Sequence, residues 1–445
     1  MSRRRHKQRL DPAPFDCVIE DLASDGRGVA RVDGKVVFVA DALPGERVRA
    51  KRTKGGRDAD AAQTLEVLEA SEDRVEPGCQ HFGLCGGCVL QHLAPAAQRR
   101  FKQQQLADAF SRIGRVAPEQ WVEPLEGPSW AYRRRARLGV RHVPKKGGTL
   151  VGFRERGTPF LAVLERCEVL DTRVGTKLQA IGALIDGLSI VDQIPQIEVA
   201  ATDRVALVFR VLQPPSREDR EALRRFGKQH DFDIWLQPGG IDSARPLLGD
   251  TPLPRFSPDG GAHQLELRPT DFIQINGPLS EAMIARALEW LGPVREQRVL
   301  ELFAGLGAFT VPLAAAGARV TAVEGEAGLV ARGRANTAAQ GFDVDWHCAD
   351  LFEAQGEVLQ GQWDCALLDP PRAGAREVLP LLAERGVRRM VYVSCHPATL
   401  ARDAGILVHD YGFRLERACV MDMFPHTAHV ESMALLTRTD DGAGD

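Results

Sequence analysis

The stretch Arg389-Met-Val-Tyr-Val-Ser-Cys395-His-Pro397 sets a thiol at the end of a short apolar run. Met390 to Val393 reads as a buried strand of a parallel sheet. Cys395 then falls at its carboxyl end, and Pro397 stops the strand. Open α/β sheets bind ligands outside the carboxyl ends of their strands, so Cys395 has the address of a nucleophile. Taken alone, a free cysteine is more often a small buried hydrophobe. A second run, Trp363-Asp-Cys-Ala-Leu-Leu-Asp369-Pro-Pro-Arg372, ends in an acid whose chain direction two prolines fix. Downstream, Met421-Asp-Met-Phe-Pro-His-Thr-Ala-His-Val-Glu431-Ser-Met brings two histidines and a carboxylate into a short span. Glu431 stands just before an apolar run, at a strand start, where a carboxylate is often merely solvated.

The elements that must position these groups begin at about Arg268, where strands and helices start to alternate as in a doubly wound α/β domain. Ser280–Leu291 is a helix. Arg298-Val-Leu-Glu-Leu-Phe303 is a strand, Ala304-Gly305-Leu-Gly307 a tight turn, Phe309–Ala316 a helix and Val320–Glu324 a second strand. Gly305 and Glu324 lie 19 positions apart, close to the ~20 expected between a glycine turn and a ribose-binding acid. NAD domains share this pattern, but the turn lacks their third glycine. A second acid, Asp350, follows the third strand region and could reach an adenine edge. A cofactor built from methionine and adenosine has no pyrophosphate to cradle. This arrangement therefore fits S-adenosylmethionine (SAM).

A different chemistry stands earlier, in Cys79-Gln-His-Phe-Gly-Leu-Cys85-Gly-Gly-Cys88. Gly86 and Gly87 let the backbone curl so that Cys85 and Cys88 aim at one centre. Three local thiols and one remote one is a usual iron–sulfur arrangement; tetrahedral zinc competes with it. Cys167 is the only other cysteine between Cys88 and Cys348. No long apolar run is available to span a bilayer, and no apolar segment follows the N-terminal arginines. The expectation is a cytoplasmic protein with reduced thiols, whose 9 cysteines point to metal or catalysis rather than disulfides.

At 445 residues, 44% hydrophobic and 26% charged, the chain has room for two to four domains. The net charge of -3 says little about nucleic acid, but its distribution says more. Basic residues cluster at Arg3–Arg9, at Arg47–Arg57 and at Arg133–Lys146, which suits a polyanion. Residues 1–12 read as a basic disordered arm. From Phe15 to about Glu76 short strands separated by Asp25-Gly26, Asp33-Gly34 and Pro44-Gly45 form an OB-like barrel over 13–74. Its segment Leu22 to Arg52 resembles the TRAM domain of RNA-modifying enzymes. Residues 95–114 read as one amphipathic helix, with Phe101, Leu106, Phe110 and Ile113 on one face. Residues 75–267 read as a central α+β domain around the cysteines, with strands at Arg137–Arg141, Leu150–Phe153, Gln196–Ala200, Val205–Arg210 and Phe232–Leu236. Its helices are expected at Thr176–Leu188 and Arg217–His230. Residues 268–445 form the Rossmann-like catalytic domain.

Five motifs together carry a resemblance. They are Asp271-Phe-Ile-Gln-Ile-Asn276, Leu302-Phe-Ala-Gly-Leu-Gly307, Leu368-Asp-Pro-Pro-Arg372, Val391-Tyr-Val-Ser-Cys-His-Pro397 and Asp422-Met-Phe-Pro-His-Thr-Ala-His-Val-Glu431. The chain resembles the RNA uracil-C5 methyltransferases. The cysteine cluster and TRAM-like start resemble their 23S rRNA (uracil-1939-C5) branch, which implies a class I SAM-dependent methyltransferase domain and a ribosomal RNA partner. The transfer RNA branch resembles only the C-terminal part. The resemblance implies Cys395 as nucleophile and Glu431 as base. It implies Gln274, Phe303, Gly305, Gly307, Ala308, Glu324, Asp350 and Asp369 at the cofactor, and Cys79, Cys85, Cys88 and Cys167 on a [4Fe-4S] cluster. It also implies that the helix at 95–114 packs on the catalytic domain. Three positions depart from the family: Ala308 and His396 where Asn is common, and Pro371 where Ala is common.

The implied chemistry explains the residue types. Uracil C5 is a poor nucleophile until a thiolate adds at C6 and makes it enolate-like. A base must then remove the C5 proton so that the thiol can leave. The target base must also leave its stack. An RNA cytosine-C5 methyltransferase usually carries cysteine where Pro371 stands. A non-catalytic RNA-binding assembly factor is the reading of a different class, and intact Cys395 and Glu431 speak against it. No obligate protein partner is evident, and no membrane is expected.

Overall fold

The structure, a computed structural model, describes residues 13–353 and 360–438. The basic arm expected at 1–12 lies outside the described residues. The chain forms two compact units. One holds Met1–Lys102, Glu155–Thr158 and Pro425–Ala428; the other holds Gln103–Arg154, Pro159–Phe424 and His429–Asp445.

The first unit carries a six-stranded sheet of β1 (Phe15–Val18), β2 (Asp21–Leu22), β3 (Gly28–Val32), β4 (Lys35–Ala40), β5 (Arg47–Lys54) and β6 (Ala59–Glu69), in the order β1-β5-β6-β4-β3-β2. Ala30, Val37, Val39, Val48, Ala50 and Ala62 alternate inward to form its core. Asp33 and Gly34 both adopt positive φ, at 52° and 78°, which turns β3 into β4 as expected for Asp-Gly. The longest strand, β6, was not legible: Ala59-Asp-Ala-Ala-Gln has no β-branched residue, and it becomes a strand by pairing with β4 on one side and β5 on the other. Those pairings also correct the picture of a freely basic β5. Arg47 meets Glu69 at 3.0 Å, Arg49 meets both Asp16 and Glu66 at 3.0 Å, and Arg52 meets Asp60 at 3.2 Å. The acids come from β1 and β6, strands the basic run does not announce.

Helix α1 (Pro95–Ala109) passes into a π-helical turn, Phe110–Gly114. The wider turn rotates the apolar face. Leu106 and Phe110 are buried among Leu400, Ala401 and Ala404, whereas Ile113, expected on the same face, is half exposed. Gly114 is required where this turn crosses α9 (Pro397–Tyr411), because a Cβ there would lie 2.3 Å from the Ala401 carbonyl oxygen. The end of the 95–114 helix thus packs on the catalytic layer, and β7 (Gln120–Trp121) extends that layer's sheet.

The second unit contains two sheets. The central one orders β8 (Arg135–Val143), β9 (Gly148–Gly152), β10 (Gln196–Ala201), β11 (Val205–Arg210), β12 (Phe232–Gln237) and β13 (Arg245–Pro246) as β13-β12-β11-β10-β8-β9. It is accompanied by α2 (Thr172–Gly175), α3 (Leu178–Asp186) and α4 (Arg217–His230), the last opened by a Ser216–Asp219 capping box. A small hairpin, β14 (Arg255–Phe256) and β15 (Leu265–Glu266), follows. The catalytic layer then runs α5 (Gly277–Leu291), β16 (Arg298–Leu302), α6 (Thr310–Ala315), β17 (Arg319–Glu324), α7 (Ala327–Ala339), β18 (Asp345–Cys348), β19 (Cys365–Leu368), α8 (Leu379–Glu384), β20 (Arg389–Ser394), α9, β21 (Arg414–Met421) and β22 (Glu431–Thr437). Its sheet order is β18-β17-β16-β19-β20-β22-β21-β7, parallel from β18 to β20, with β22 antiparallel to both its neighbours. Pro397 does more than stop β20: it opens α9 at the first helical turn.

The third basic cluster is divided: Arg137, Arg141, Lys145 and Lys146 are exposed, whereas Arg134 and Arg135 turn inward. Arg134 donates to the Gln274 carbonyl at 2.9 Å, and burial lowers its guanidinium to about 10. Arg135 pairs with Glu198 at 2.8 Å and donates to the carbonyls of Val199, Thr270 and Asp271. These arginines clamp the segment that carries Gln274 rather than facing a polyanion. Arg135→Ala should therefore destabilise the protein by about 3 kcal/mol, the usual result of orphaning a buried charge. Urea unfolding checks this, and a change below ~0.5 kcal/mol would return Arg135 to the surface.

Candidate active site

The carboxyl ends of β16, β17, β19 and β20 open on a cavity of about 620 Å³. Gln274, Phe303, Gly305, Ala308, Glu324, Asp350, Asp369, Cys395 and Glu431 all line it. Gly307, expected with them, sits in the turn but not on the cavity wall; its α-carbon faces Trp346 and Thr310.

The turn after β16 takes three left-handed residues in five, with Phe303 at φ 62°, Gly305 at 58° and Gly307 at 98°. Glycine tolerates this freely, while Phe303 is a strained exception at a ligand-facing position. The parallel register sets Leu302 beside Val323. Gly305 and Glu324 both lie just beyond that pair, and the Gly305 N–H donates to Glu324 Oε2 at 3.0 Å. The Glu326 N–H donates to the other oxygen, also at 3.0 Å. A carboxylate held this way keeps lone pairs for two hydroxyls of a ribose. Asp350 accepts from the Phe352 N–H at 2.9 Å, and Phe352 lies 6.0 Å from the Phe303 ring.

Asp369 faces the cavity from the end of β19. Desolvation deep in the protein raises its carboxyl to about 6, opposed by a hydrogen bond from the Gln274 side chain. Behind it, Glu301 in mid-β16 is fully buried with no hydrogen-bond partner among the described residues. Burial, then the charges of Asp369 and Glu324, push it up to about 8. Glu301 was missed in the sequence, where a lone acid inside Val-Leu-Glu-Leu was its only signal. Phe272, Arg372, Phe424 and His429 were also missed as cavity-lining residues. Phe272 is 69% exposed, an unusual state for an aromatic.

The thiol and its partner are placed by strand register. Strand β20 pairs with β22 so that Ser394 faces Ser432, with the Ser432 hydroxyl donating to the Ser394 carbonyl at 3.3 Å. Cys395 and Glu431 are the next residues beyond that pair, and both line the cavity. Glu431 is only 7% exposed, so it is not the solvated strand-end carboxylate that its position allowed. Burial, then Glu431 and Asp369, raise the Cys395 thiol to about 11, with the Arg372 cation opposing them. In the resting site the sulfur is therefore a thiol. His396, beside it, has its pKa lowered by burial and by Arg372 and Arg402, so it is neutral.

The cysteine loop lies in the first unit. Cys79 N–H donates to Gln91 at 3.1 Å, Gly87 N–H points at the Cys85 sulfur at 3.4 Å, and Arg156 donates to the Cys88 carbonyl at 3.2 Å. Burial, and the adjacent Cys79, raise the Cys85 thiol. Cys167 lies in the second unit, its N–H bonded to the Gly175 carbonyl at 2.9 Å. Among the described residues, which include all 9 cysteines, there is no disulfide. Among the described residues no group of three or more His, Cys, Asp or Glu is gathered to hold a metal ion.

The chain is 50% identical over 441 residues to the 23S rRNA (uracil(1939)-C(5))-methyltransferase RlmD of Alkalilimnicola ehrlichii, covering 98% of this chain and 99% of that one. It belongs to that methyltransferase family. The enzyme of the same name from Acidithiobacillus ferrooxidans is also 50% identical, over 98% of this chain and 100% of its own. The TRAM domain model matches residues 16–56, and the tRNA (Uracil-5-)-methyltransferase model matches residues 355–439. In fold, the chain is similar to the Pyrococcus abyssi tRNA (uracil-54, C5)-methyltransferase crystallised with S-adenosyl-L-homocysteine. The TM-score is 0.73 at 22% identity, over 95% of this chain and 99% of that one. The SAM-dependent methyltransferase fold, the TRAM-type start and the central α+β layer are thus those expected. Among the described residues no helix is long and apolar enough to cross a membrane.

Because Glu431 is the charge that most opposes ionisation of Cys395, Glu431→Gln should speed alkylation of Cys395 several-fold at pH 8. In the unmodified protein the rate should keep climbing towards pH 11. Mass-spectrometric mapping of iodoacetamide adducts measures both, and an unchanged rate in the variant would separate the two side chains.

Proposed function

We propose that this protein methylates C5 of a specific uridine in 23S ribosomal RNA, with SAM as methyl donor and a transient Cys395–C6 bond. The observation that carries the proposal is that Cys395 and Glu431, each one residue beyond the Ser394–Ser432 pair, both line the acid-rich cavity. The cavity volume suits a cofactor-sized ligand, and its carboxylates suit a ligand with a ribose at one end and a cation at the other. Glu324 would hold the ribose hydroxyls, Asp350 the adenine end, and Gln274 with Asp369 the amino-acid end. SAM, when bound, supplies an electrophilic methyl group.

Each protein group then has a task. Cys395 loses its proton to a neighbouring carboxylate and adds to C6, moving the C5–C6 electron pair towards C5 and the O4 oxygen. C5 takes the methyl group. Glu431 removes the C5 proton, and the returning electrons re-form the double bond and expel the Cys395 thiolate. A cation opposite the acids would lower the cost of the thiolate, which burial and the neighbouring Glu431 and Asp369 make high. The exposed ion pairs along β5 are worth little individually, so Arg47 and Arg49 can exchange their acids for RNA phosphates at small cost.

In this reading, residues 13–74 bind RNA, 75–267 shape the site around the cysteines and 268–445 perform the transfer, all in the cytoplasm, where ribosomal RNA is found. Cys79, Cys85, Cys88 and Cys167 would hold a [4Fe-4S] cluster. Four soft thiols suit iron–sulfur better than any oxygen-preferring ion, and a backbone N–H already aimed at Cys85 is a usual cluster contact. In this reading the cluster's role is structural, bracing the central domain.

Labelled-methyl transfer to unmodified 23S rRNA should be measurable, and Cys395→Ala should abolish both transfer and covalent trapping on 5-fluorouridine RNA. Glu431→Gln should cut turnover about 10²–10⁴-fold while the RNA adduct accumulates. RNA binding without transfer by the wild type would favour an assembly factor, and transfer to tRNA instead would overturn the substrate. Anaerobically purified protein should be brown, with a visible absorbance band that Cys88→Ser removes; a colourless, zinc-loaded protein would overturn the cluster.

A further inference from the structure

Asp403, on α9, takes no part in the chemistry above, yet it is fully buried and ties three segments together. The Tyr392 hydroxyl, from β20 just ahead of Cys395, donates to its Oδ2 at 2.7 Å. The Ala375 N–H, from the loop that follows Asp369, donates to the same oxygen at 2.8 Å. Arg402 Nε donates to Oδ1 at 2.7 Å, and Arg402 Nη2 reaches on to the Ala373 carbonyl at 2.9 Å. The loop between is a tight turn, closed by the Gly374 N–H to the Pro371 carbonyl at 2.9 Å. Gly374 has φ +85°, and a Cβ there would lie 2.6 Å from Asp403 Oδ2. Only glycine fits against this carboxylate.

The turn so held is Pro370-Pro371-Arg372-Ala373-Gly374. Pro370, Pro371 and Arg372 line the cavity, and the Arg372 cation favours the thiolate of Cys395. Its other end is fixed less firmly, by the Asp369 N–H to the Leu302 carbonyl at 3.4 Å. A buried carboxylate that accepts from both the nucleophile's strand and the arginine's loop sets the separation of the two. We propose that Asp403 is a positioning residue for the methyl-transfer reaction: it locks the Pro370–Arg372 loop to the strand bearing Cys395 and so keeps Arg372 at the nucleophile. The proposal rests on Cys395 being that nucleophile.

The test is the rate of covalent adduct formation on 5-fluorouridine RNA with SAM, at saturating RNA. Asp403→Asn should slow it about 10–100-fold, the scale of a displacement near 1 Å in an aligned site. SAM and RNA affinities should change less than about threefold, since neither ligand touches Asp403. Arg372→Ala should give a similar loss, and the double variant no further loss, because the two act as one unit. A rate in Asp403→Asn within twofold of wild type overturns the proposal, as do losses that multiply. If Asp403→Asn does not fold, Tyr392→Phe decides, removing one hydroxyl: a slower adduct rate at unchanged affinities supports the proposal, and an unchanged rate overturns it. Failure of the wild type itself to form an adduct would instead remove the nucleophile assignment on which the proposal rests.

Discussion

The antiparallel pairing of β20 with β22 is the constraint on which the site depends. Side chains on paired strands alternate faces, so a shift of one residue would turn either Cys395 or Glu431 away from the cavity. The register is held along the whole length of β20, from Arg389 opposite Thr437 to Ser394 opposite Ser432, with apolar residues buried on both faces. That burial is what makes slippage costly. The reversed direction of β22 is equally necessary: it brings the start of one strand to the end of the other, and with them Glu431 and Cys395 to one cavity.

Around this pair the protein concentrates negative charge. Glu301, Glu324, Asp369 and Glu431 converge on one cavity or its back wall, and two of the four are pushed towards or above neutrality by their burial. Such an arrangement is costly unless a cation stands opposite it. A cation opposite these acids would be stabilised by them and would in turn ease ionisation of the Cys395 thiol, held at about 11.

The arginines show the converse. In composition they promised a polyanion surface, and part of that promise is spent inside the fold. Arg134 and Arg135 use their planar forks on backbone carbonyls and Glu198, bracing the segment that carries Gln274. Arg402 is similarly committed, to Asp403 and the Ala373 carbonyl. Guanidinium is suited to this because it offers five donors in a fixed geometry. Charge counts along a chain therefore overstate the basic surface wherever arginines precede a strand that must be docked.

Much was legible before folding, because it is local or periodic. Apolar runs marked β16, β19 and β20; Asp-Gly marked the β3–β4 hairpin; and the distance from Gly305 to Glu324 followed from two parallel strands of ordinary length. The motifs around Cys395 and Glu431 named the chemistry. What tertiary structure alone decided is non-local. Strand β6 exists because two neighbours claim an alanine-rich segment. The exposed Ile113 follows from a π turn that no propensity announces. The burial of Glu431, the acids that neutralise β5, and the carboxylate of Asp403 joining a strand, a helix and a loop all depend on residues far apart in the chain. Hydrogen bonds and desolvation act through space, whereas sequence patterns record only what adjacent residues share.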